Sequence, residues 1–84
     1  MNPQKTTDAS ADAHHVADLQ DGARGVIVSN GDRKSTEMGL FPGAAVNMFR
    51  NRKHERSLVI GAGDARFLVS RAIARQITIS PAVN

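Results

Sequence analysis

The sequence predicts a mainly β fold: a small β-barrel of about five short strands with two short helical segments. Two observations support this. Short β-branched runs recur along the 84-residue chain, and Gly, Asn, Asp and Pro turn signals separate them. Closure into a barrel also explains how so short a chain avoids long exposed sheet edges.

The first half of the chain predicts a single helical turn, a strand and the first of the two short helices. Residues 16–22 (VADLQDG) fit a single helical turn, and residues 24–32 (RGVIVSNGD) form a β-branched run that ends in a turn signal. Residues 32–39 (DRKSTEMG) predict a short helix, which Asp32 caps at its start and Gly39 ends in a left-handed conformation.

The most distinctive stretch follows this helix. Leu40 comes directly after the helix-ending glycine, where apolar residues commonly fold back onto the helix. Pro42-Gly43 fits the central positions of a type II turn, and a strand over residues 44–50 starts at once. We therefore expect a structural corner that reverses the chain and packs Leu40 inside; it consists of Met38, Gly39, Leu40, Pro42 and Gly43.

The second half of the chain predicts the rest of the barrel. Residues 57–61 (SLVIG) and 65–70 (ARFLVS) form a hairpin around a GAGD turn. Ser70 then caps a short helix over residues 71–75. Residues 76–80 (QITIS) finish as an alternating strand with both isoleucines inward.

One domain is expected over residues 16–80, between a flexible N-terminal tail (1–15) that lacks apolar anchors and a C-terminal tail (81–84). The chain has no cysteine, no signal-peptide core and no apolar run long enough to span a membrane. These features favour a cytoplasmic protein.

The basic run RNRKHER, residues 50–56, is the strongest surface feature. The chain has 11 Lys and Arg against 8 Asp and Glu, which permits an acidic protein, an acidic lipid surface or nucleic acid as partner. The run could be a solvated loop, a docking patch for an acidic partner, or a phosphate contact. Only three aromatic residues, all Phe, are present, which disfavours base stacking and thus nucleic acid.

Phe49 is the exception to the apolar pattern. Strand alternation points Val46 and Met48 inward, so Phe49 should lie outside, beside Arg50. An exposed Phe flanked by Arg is typical of an interface anchor, and packing beneath the loop 51–55 is the alternative. The predicted protein-interaction residues are Phe49, Arg50, Arg52, Lys53 and Arg56.

Metal, cofactor and catalytic sites are not expected. His14 and His15 lie in the predicted tail near Asp8 and Asp12, and His54 lies in the charged loop; neither place offers the fixed geometry of a metal site. The glycine-containing stretches GAGDAR and GDRKST lack the spacing of a phosphate-binding loop. No serine or threonine has a histidine partner suggested by the pattern, and paired carboxylates are missing, so the chain is not expected to be an enzyme.

Three segments together carry a resemblance to a known family. They are the Leu-x-x-Gly-x-x-Gly-x-Ile spacing of residues 19–27, the EMGLFPGAAV stretch of residues 37–46, and the closing apolar pattern of residues 69–79. In these segments the chain resembles the ferrous iron transport protein A family, FeoA. The family usually has a leucine where this chain has Ser35, and the tail 1–14 is additional.

The resemblance implies an SH3-like barrel without catalytic activity that acts in the cytosol. It also implies a partner: FeoA proteins assist the membrane-bound ferrous iron transporter FeoB, whose cytosolic part carries a G domain. The function implied is docking on that part and modulation of Fe(II) transport, with membrane contact only through the transporter. A nucleic-acid-binding barrel that uses residues 50–56 is the alternative. Weak self-association is also expected, because a partly open barrel leaves edge strands for pairing.

Overall fold

A computed structural model describes residues 14–81. The strands are β1 (His14–His15), β2 (Arg24–Asn30), β3 (Ala45–Arg50), β4 (Ser57–Ala62), β5 (Ala65–Ser70) and β6 (Ile77–Pro81). A 3₁₀ turn, Val16–Asp18, follows β1, and the helices are α1 (Arg33–Met38) and α2 (Arg71–Ala74). The strands form one antiparallel sheet in the order β1-β6-β2-β3-β4-β5, which confirms the mainly β prediction.

A single apolar core lies inside the curved sheet. It is built by alternate residues of the strands, as the sequence pattern predicts, together with the 3₁₀ turn, the corner and α2. Its buried members are Val16, Leu19, Ile27, Leu40, Val46, Met48, Leu58, Ile60, Val69, Ala74, Ile77 and Ile79. Within residues 14–81, no polar or charged residue is buried.

Strand pairing includes residues on both sides of the predicted domain 16–80. His14 and His15, assigned to the tail 1–15, pair with Ile79 and Thr78 of β6. They cover the edge of β6 that β2 leaves open, and this raises the number of strands to six. At the other end β6 continues to Pro81. The carboxylates Asp8 and Asp12, like the rest of residues 1–13 and residues 82–84, lie outside the described chain.

Helix α1 begins and ends as predicted. The carboxylate of Asp32 accepts a hydrogen bond from the backbone N–H of Ser35 (2.9 Å), which caps the first turn. Gly39 ends the helix with a φ of +133°, a conformation that disfavours other residues. Leu40 then donates its N–H to the carbonyl of Ser35 (2.9 Å), and its side chain is fully buried.

The Pro42-Gly43 turn completes the corner. The N–H of Ala44 donates to the carbonyl of Phe41 (3.0 Å), and Gly43 has a φ of +95°, as the third position of a type II turn requires. The N–H of Gly43 also donates to the carbonyl of Ile27 in β2 (2.7 Å). The corner is therefore attached to the sheet by its backbone.

Asn30 holds the corner from the end of β2. Its side-chain amide donates to Ser35 Oγ (2.9 Å) and to the carbonyl of Leu40 (2.8 Å), while its Oδ1 accepts from the N–H of Asp32 (2.8 Å). Ser35 thus supplies an acceptor at the position where the family usually has a leucine, and α1 buries none of its residues. Sequence analysis recognised Asn30 only as a turn residue.

Replacement of Gly43 tests the corner without removing any side-chain contact. An added Cβ at Gly43 meets nothing within 4 Å, so the effect of Gly43→Ala comes from its positive φ. We expect the variant to lose about 1–2 kcal/mol of unfolding free energy in chemical denaturation.

Gly31→Ala is the matched control. Gly31 has no positive φ, and its added Cβ would meet the flexible end of Gln76 at 3.3 Å. This variant should stay within about 0.5 kcal/mol of the parent chain. Equal effects of the two substitutions would contradict a strained turn at Gly43.

Candidate protein-interaction surface

The loop 51–56 is fixed to the barrel by Asn51. Its side-chain amide donates to the carbonyls of Ala17 (3.0 Å) and Leu19 (2.7 Å) in and after the 3₁₀ turn. Its backbone N–H donates to Asp21 Oδ1 (2.8 Å). The Oδ1 of Asn51 is buried and finds no hydrogen-bond partner in the described chain. The basic run is therefore anchored at its start by the side chain and the backbone of Asn51.

Arg71, the first residue of α2, fixes the other side of the loop. Its guanidinium donates to the carbonyls of Glu55 (3.0 Å) and Arg52 (2.7 Å), and its backbone N–H donates to the carbonyl of Arg56 (2.6 Å). Charge-assisted bonds of this kind are among the stronger ones in proteins. Arg71 therefore positions the loop backbone, and the side chains on the loop project from a rigid base.

Two of the predicted interaction residues are engaged in ion pairs within the chain. Arg50 binds Glu55 with two hydrogen bonds (3.1 and 2.7 Å), and Arg52 binds Asp21 (2.6 Å). The bond from Arg50 lowers the pKa of Glu55 below its ordinary value. The bonds from Arg52 and from the Asn51 N–H likewise lower the pKa of Asp21.

Lys53 and Arg56, also predicted, have no such partner. They line a groove between the loop and α2, together with Arg75. Within residues 14–81, no carboxylate lies at salt-bridge distance from any of the three. We call them the basic cluster. Sequence analysis missed Arg75, which is distant in sequence and becomes a neighbour only through the fold.

Phe49 lies on the outer face of the sheet and is 42% exposed. Its ring covers Gly61 of β4, where an added Cβ would come within 2.5 Å of Phe49 Cε2. The guanidinium of Arg66 lies 4.1 Å from the ring centroid, a cation–π contact. The register of β3 against β4 shifts here, between Met48 and Arg50. Phe49 therefore belongs with β4 and β5, separate from the basic cluster.

A second groove, apolar and about 220 Å³ in volume, lies between α1 and β5. Its exposed apolar residues are Met38 and Leu68, and Leu40 and Val69 lie buried along it. We call it the α1–β5 groove. It meets the groove of the basic cluster at Ser70, which lines both.

Metal-binding side chains do not gather in the described chain. Among residues 14–81, no group of three or more His, Cys, Asp or Glu could hold a metal ion. His15 pairs with Asp18 (Nδ1 to Oδ2, 3.2 Å), and His54 lines the basic groove. None of the helices described is both long and apolar enough to cross a bilayer.

The sequence profile of the FeoA domain matches residues 14–81, which is all of the described chain. The chain belongs to the FeoA family. The family is related to iron uptake, and the resemblance found in the three sequence segments is thereby confirmed. Comparison with curated protein sequences gives no match.

Solved structures confirm the fold. An iron uptake regulatory protein, FeoA, is 21% identical with a TM-score of 0.75, over 83% of this chain and 97% of that one. FeoA of Stenotrophomonas maltophilia, complexed with zinc and described as a procaryotic SH3 domain protein, is 21% identical with a TM-score of 0.73, over 81% and 91%. A manganese-dependent transcriptional repressor is 16% identical with a TM-score of 0.73, over 83% of this chain and 42% of that one. The SH3-like barrel is therefore established.

The two lowered pKa values predict acid sensitivity of the loop 51–56. Carboxylates with a lowered folded pKa contribute stability that is complete above the ordinary pKa, about 4.3 for Glu, and is lost as the pH falls through the folded value. We therefore expect the protection factors of the amides in residues 51–56, which correct for the intrinsic pH dependence of exchange, to fall as the pH drops below about 4.3. Glu55→Gln should reduce this pH-dependent fall in protection, because it removes one of the two titrating groups.

Asp64→Asn is the control for a general effect of acid. Asp64 forms no ion pair within residues 14–81, so its replacement should leave the pH profile of the loop unchanged. Identical profiles for the parent chain and Glu55→Gln would contradict the role of the Arg50–Glu55 pair.

Proposed function

We propose that this FeoA-family chain is a non-enzymatic accessory module that docks on the cytosolic part of an FeoB-type ferrous iron transporter and modulates Fe(II) transport. It works in the cytoplasm and reaches the membrane only through the transporter. Membership of the FeoA family supports the system, and the S. maltophilia relative is described in connection with ferrous iron transport activation.

The observation that carries the proposal is the basic cluster on a rigid base. Lys53, Arg56 and Arg75 have no carboxylate partner in residues 14–81, so they are available to acidic groups of a partner. Because Asn51 and Arg71 already fix the loop, little further ordering of the backbone is needed on binding. Positive charge held in this way favours binding to acidic protein surfaces and raises the rate of association with them.

The five interaction residues predicted from the sequence then take different roles. Lys53 and Arg56 contact the partner directly. Arg50 and Arg52 hold the loop in shape through Glu55 and Asp21. Phe49, supported by Arg66, offers a secondary apolar contact on the outer face of the sheet.

A non-enzymatic role agrees with the hydrogen bonding of Glu55 in the groove of the basic cluster. Glu55 is the carboxylate that lines the basic groove, and both of its oxygens accept hydrogen bonds from Arg50. Its lowered pKa makes it a weaker proton acceptor than an ordinary glutamate. The groove therefore suits recognition of a surface better than proton transfer.

The nucleic-acid alternative would use the same cations on phosphates. Of the exposed rings, Phe41 and Phe49, the one next to the basic run is Phe49, whose ring lies over Gly61 and carries the Arg66 guanidinium at 4.1 Å. With one face covered by Arg66, the ring is poorly available to a base. The contacts of Phe49 therefore favour a protein partner.

Reversal of charge in the basic cluster tests the docking proposal. We expect Lys53→Glu combined with Arg56→Glu to weaken binding of the full chain to the soluble G domain of an FeoB-type transporter. The expected loss is about tenfold in Kd, or about 1.4 kcal/mol, by calorimetry. The same variant should lose its effect on Fe(II) uptake in cells.

Arg24→Glu combined with Arg33→Glu is the control for net charge, which it changes equally at positions outside the loop; it also removes the exposed Arg33–Glu37 pair (3.8 Å). It should bind within about twofold of the parent chain. Equal losses of affinity in both variants would show that binding depends on overall charge and not on the basic cluster. Tight binding to RNA or DNA with a steep salt dependence, and none to the G domain, would favour the nucleic-acid alternative.

A further inference from the structure

Strand β5 ends the sheet and leaves one backbone edge unpaired by any strand of residues 14–81. Ala62 and Ala65 close a two-residue hairpin turn and form a hydrogen-bonded pair. From this pair the pattern alternates: Phe67 exchanges backbone bonds with β4, whereas Arg66 and Leu68 direct their N–H and C=O groups to the free edge. The edge thus offers two residues for pairing with another strand.

The α1–β5 groove is lined by residues 67–70 of this edge strand. Met38 and Leu68, which line it, are 60% and 77% exposed, so an apolar surface lies next to unpaired backbone groups. A strand added at such an edge gains backbone hydrogen bonds, and every second side chain can enter the groove. Both features are those of a site for an extended segment.

The charge at one end of the groove restricts the segment further. Ser70, the last residue of β5, also lines the groove of the basic cluster. A segment that follows β5 past this point meets Lys53, Arg56 and Arg75, which have no carboxylate partners in the described chain. Carboxylates at that end of the segment would complement them.

We propose that the free edge of β5 receives an extended segment of the partner protein as an additional strand. Its apolar residues alternate over the α1–β5 groove and its acidic residues lie against the basic cluster. This rests on the proposed function, because it takes the basic cluster as the contact for an acidic partner. A second copy of the chain fits less well, since its own edge strand, residues 65–70, carries Arg66 and no carboxylate to complement the basic cluster.

The test uses the full chain and two synthetic peptides. Each peptide has three acidic residues joined to an alternating Val-Thr stretch, in the two possible orders, because strand addition can be parallel or antiparallel. Amide exchange measured by NMR should show the N–H groups of Arg66 and Leu68 protected at least tenfold by one of the peptides. Phe67 and Val69 should change little, since β4 already protects them. A peptide with Lys in place of the acidic residues should bind at least tenfold more weakly.

Leu68→Pro separates the backbone contact from the side chain. It removes the N–H that faces the free edge and no bond to β4, and proline is tolerated on edge strands. Peptide affinity should fall at least tenfold, whereas Leu68→Thr, which keeps the N–H, should lose less than threefold. If Leu68→Pro does not fold, the inference is tested by amide protection in the parent chain: it stands only if Arg66 and Leu68 are selectively protected by a peptide.

Several outcomes would overturn the inference. These are absence of binding by both peptides, binding without selective protection of Arg66 and Leu68, or unchanged binding by folded Leu68→Pro. Protection of the same amides by raised protein concentration alone would assign the edge to a second copy. Strand addition by the peptide with no binding to the transporter G domain would instead reject the proposed function and leave the edge site standing.

Discussion

The burial of Leu40 at the corner is the constraint on which the rest of the structure depends. Gly39 turns the chain with a φ of +133°, and the carbonyl of Leu40 is held by the side chain of Asn30 at 2.8 Å. The leucine is fully buried, and it lines the α1–β5 groove between Met38 of α1 and Leu68 of β5. A Leu→Ala change at such a site costs about 2–5 kcal/mol, a large part of the stability of a small domain. The same corner also places Met38 at the groove beside β5, which ends the sheet.

The positions of a few carboxylates determine which surface cations form ion pairs within residues 14–81. Asp21 and Glu55 each bind one arginine of the basic run. These two ion pairs help to fix the loop 51–56 to the barrel. The cations without carboxylates, on the loop and at the end of α2, form the basic cluster. In the proposed function, recognition depends on the cations that have no carboxylate partner within residues 14–81, and the net charge of the chain does not reveal which these are.

Local chemistry made most of the fold predictable. The cap at Asp32, the Pro42-Gly43 turn and the alternation of β6 each depend on residues close in sequence. Strand β1 was missed because two residues carry no alternation. The pairing of Arg52 with Asp21, the arrival of Arg75 at the loop and the contact of Phe49 with Gly61 all depend on residues far apart in sequence. The sequence therefore shows that the loop is basic, but it does not show which of its cations form ion pairs.

Cross-saturation mapping of the chain bound to the soluble G domain of an FeoB-type transporter tests the central claim most directly. The claim is that the working surface joins the basic cluster to the edge of β5. The account predicts signal loss concentrated at Lys53, Arg56, Arg75 and Leu68. Signal loss centred on Val26 and Val28 of β2, with the loop 51–56 unaffected, would contradict it.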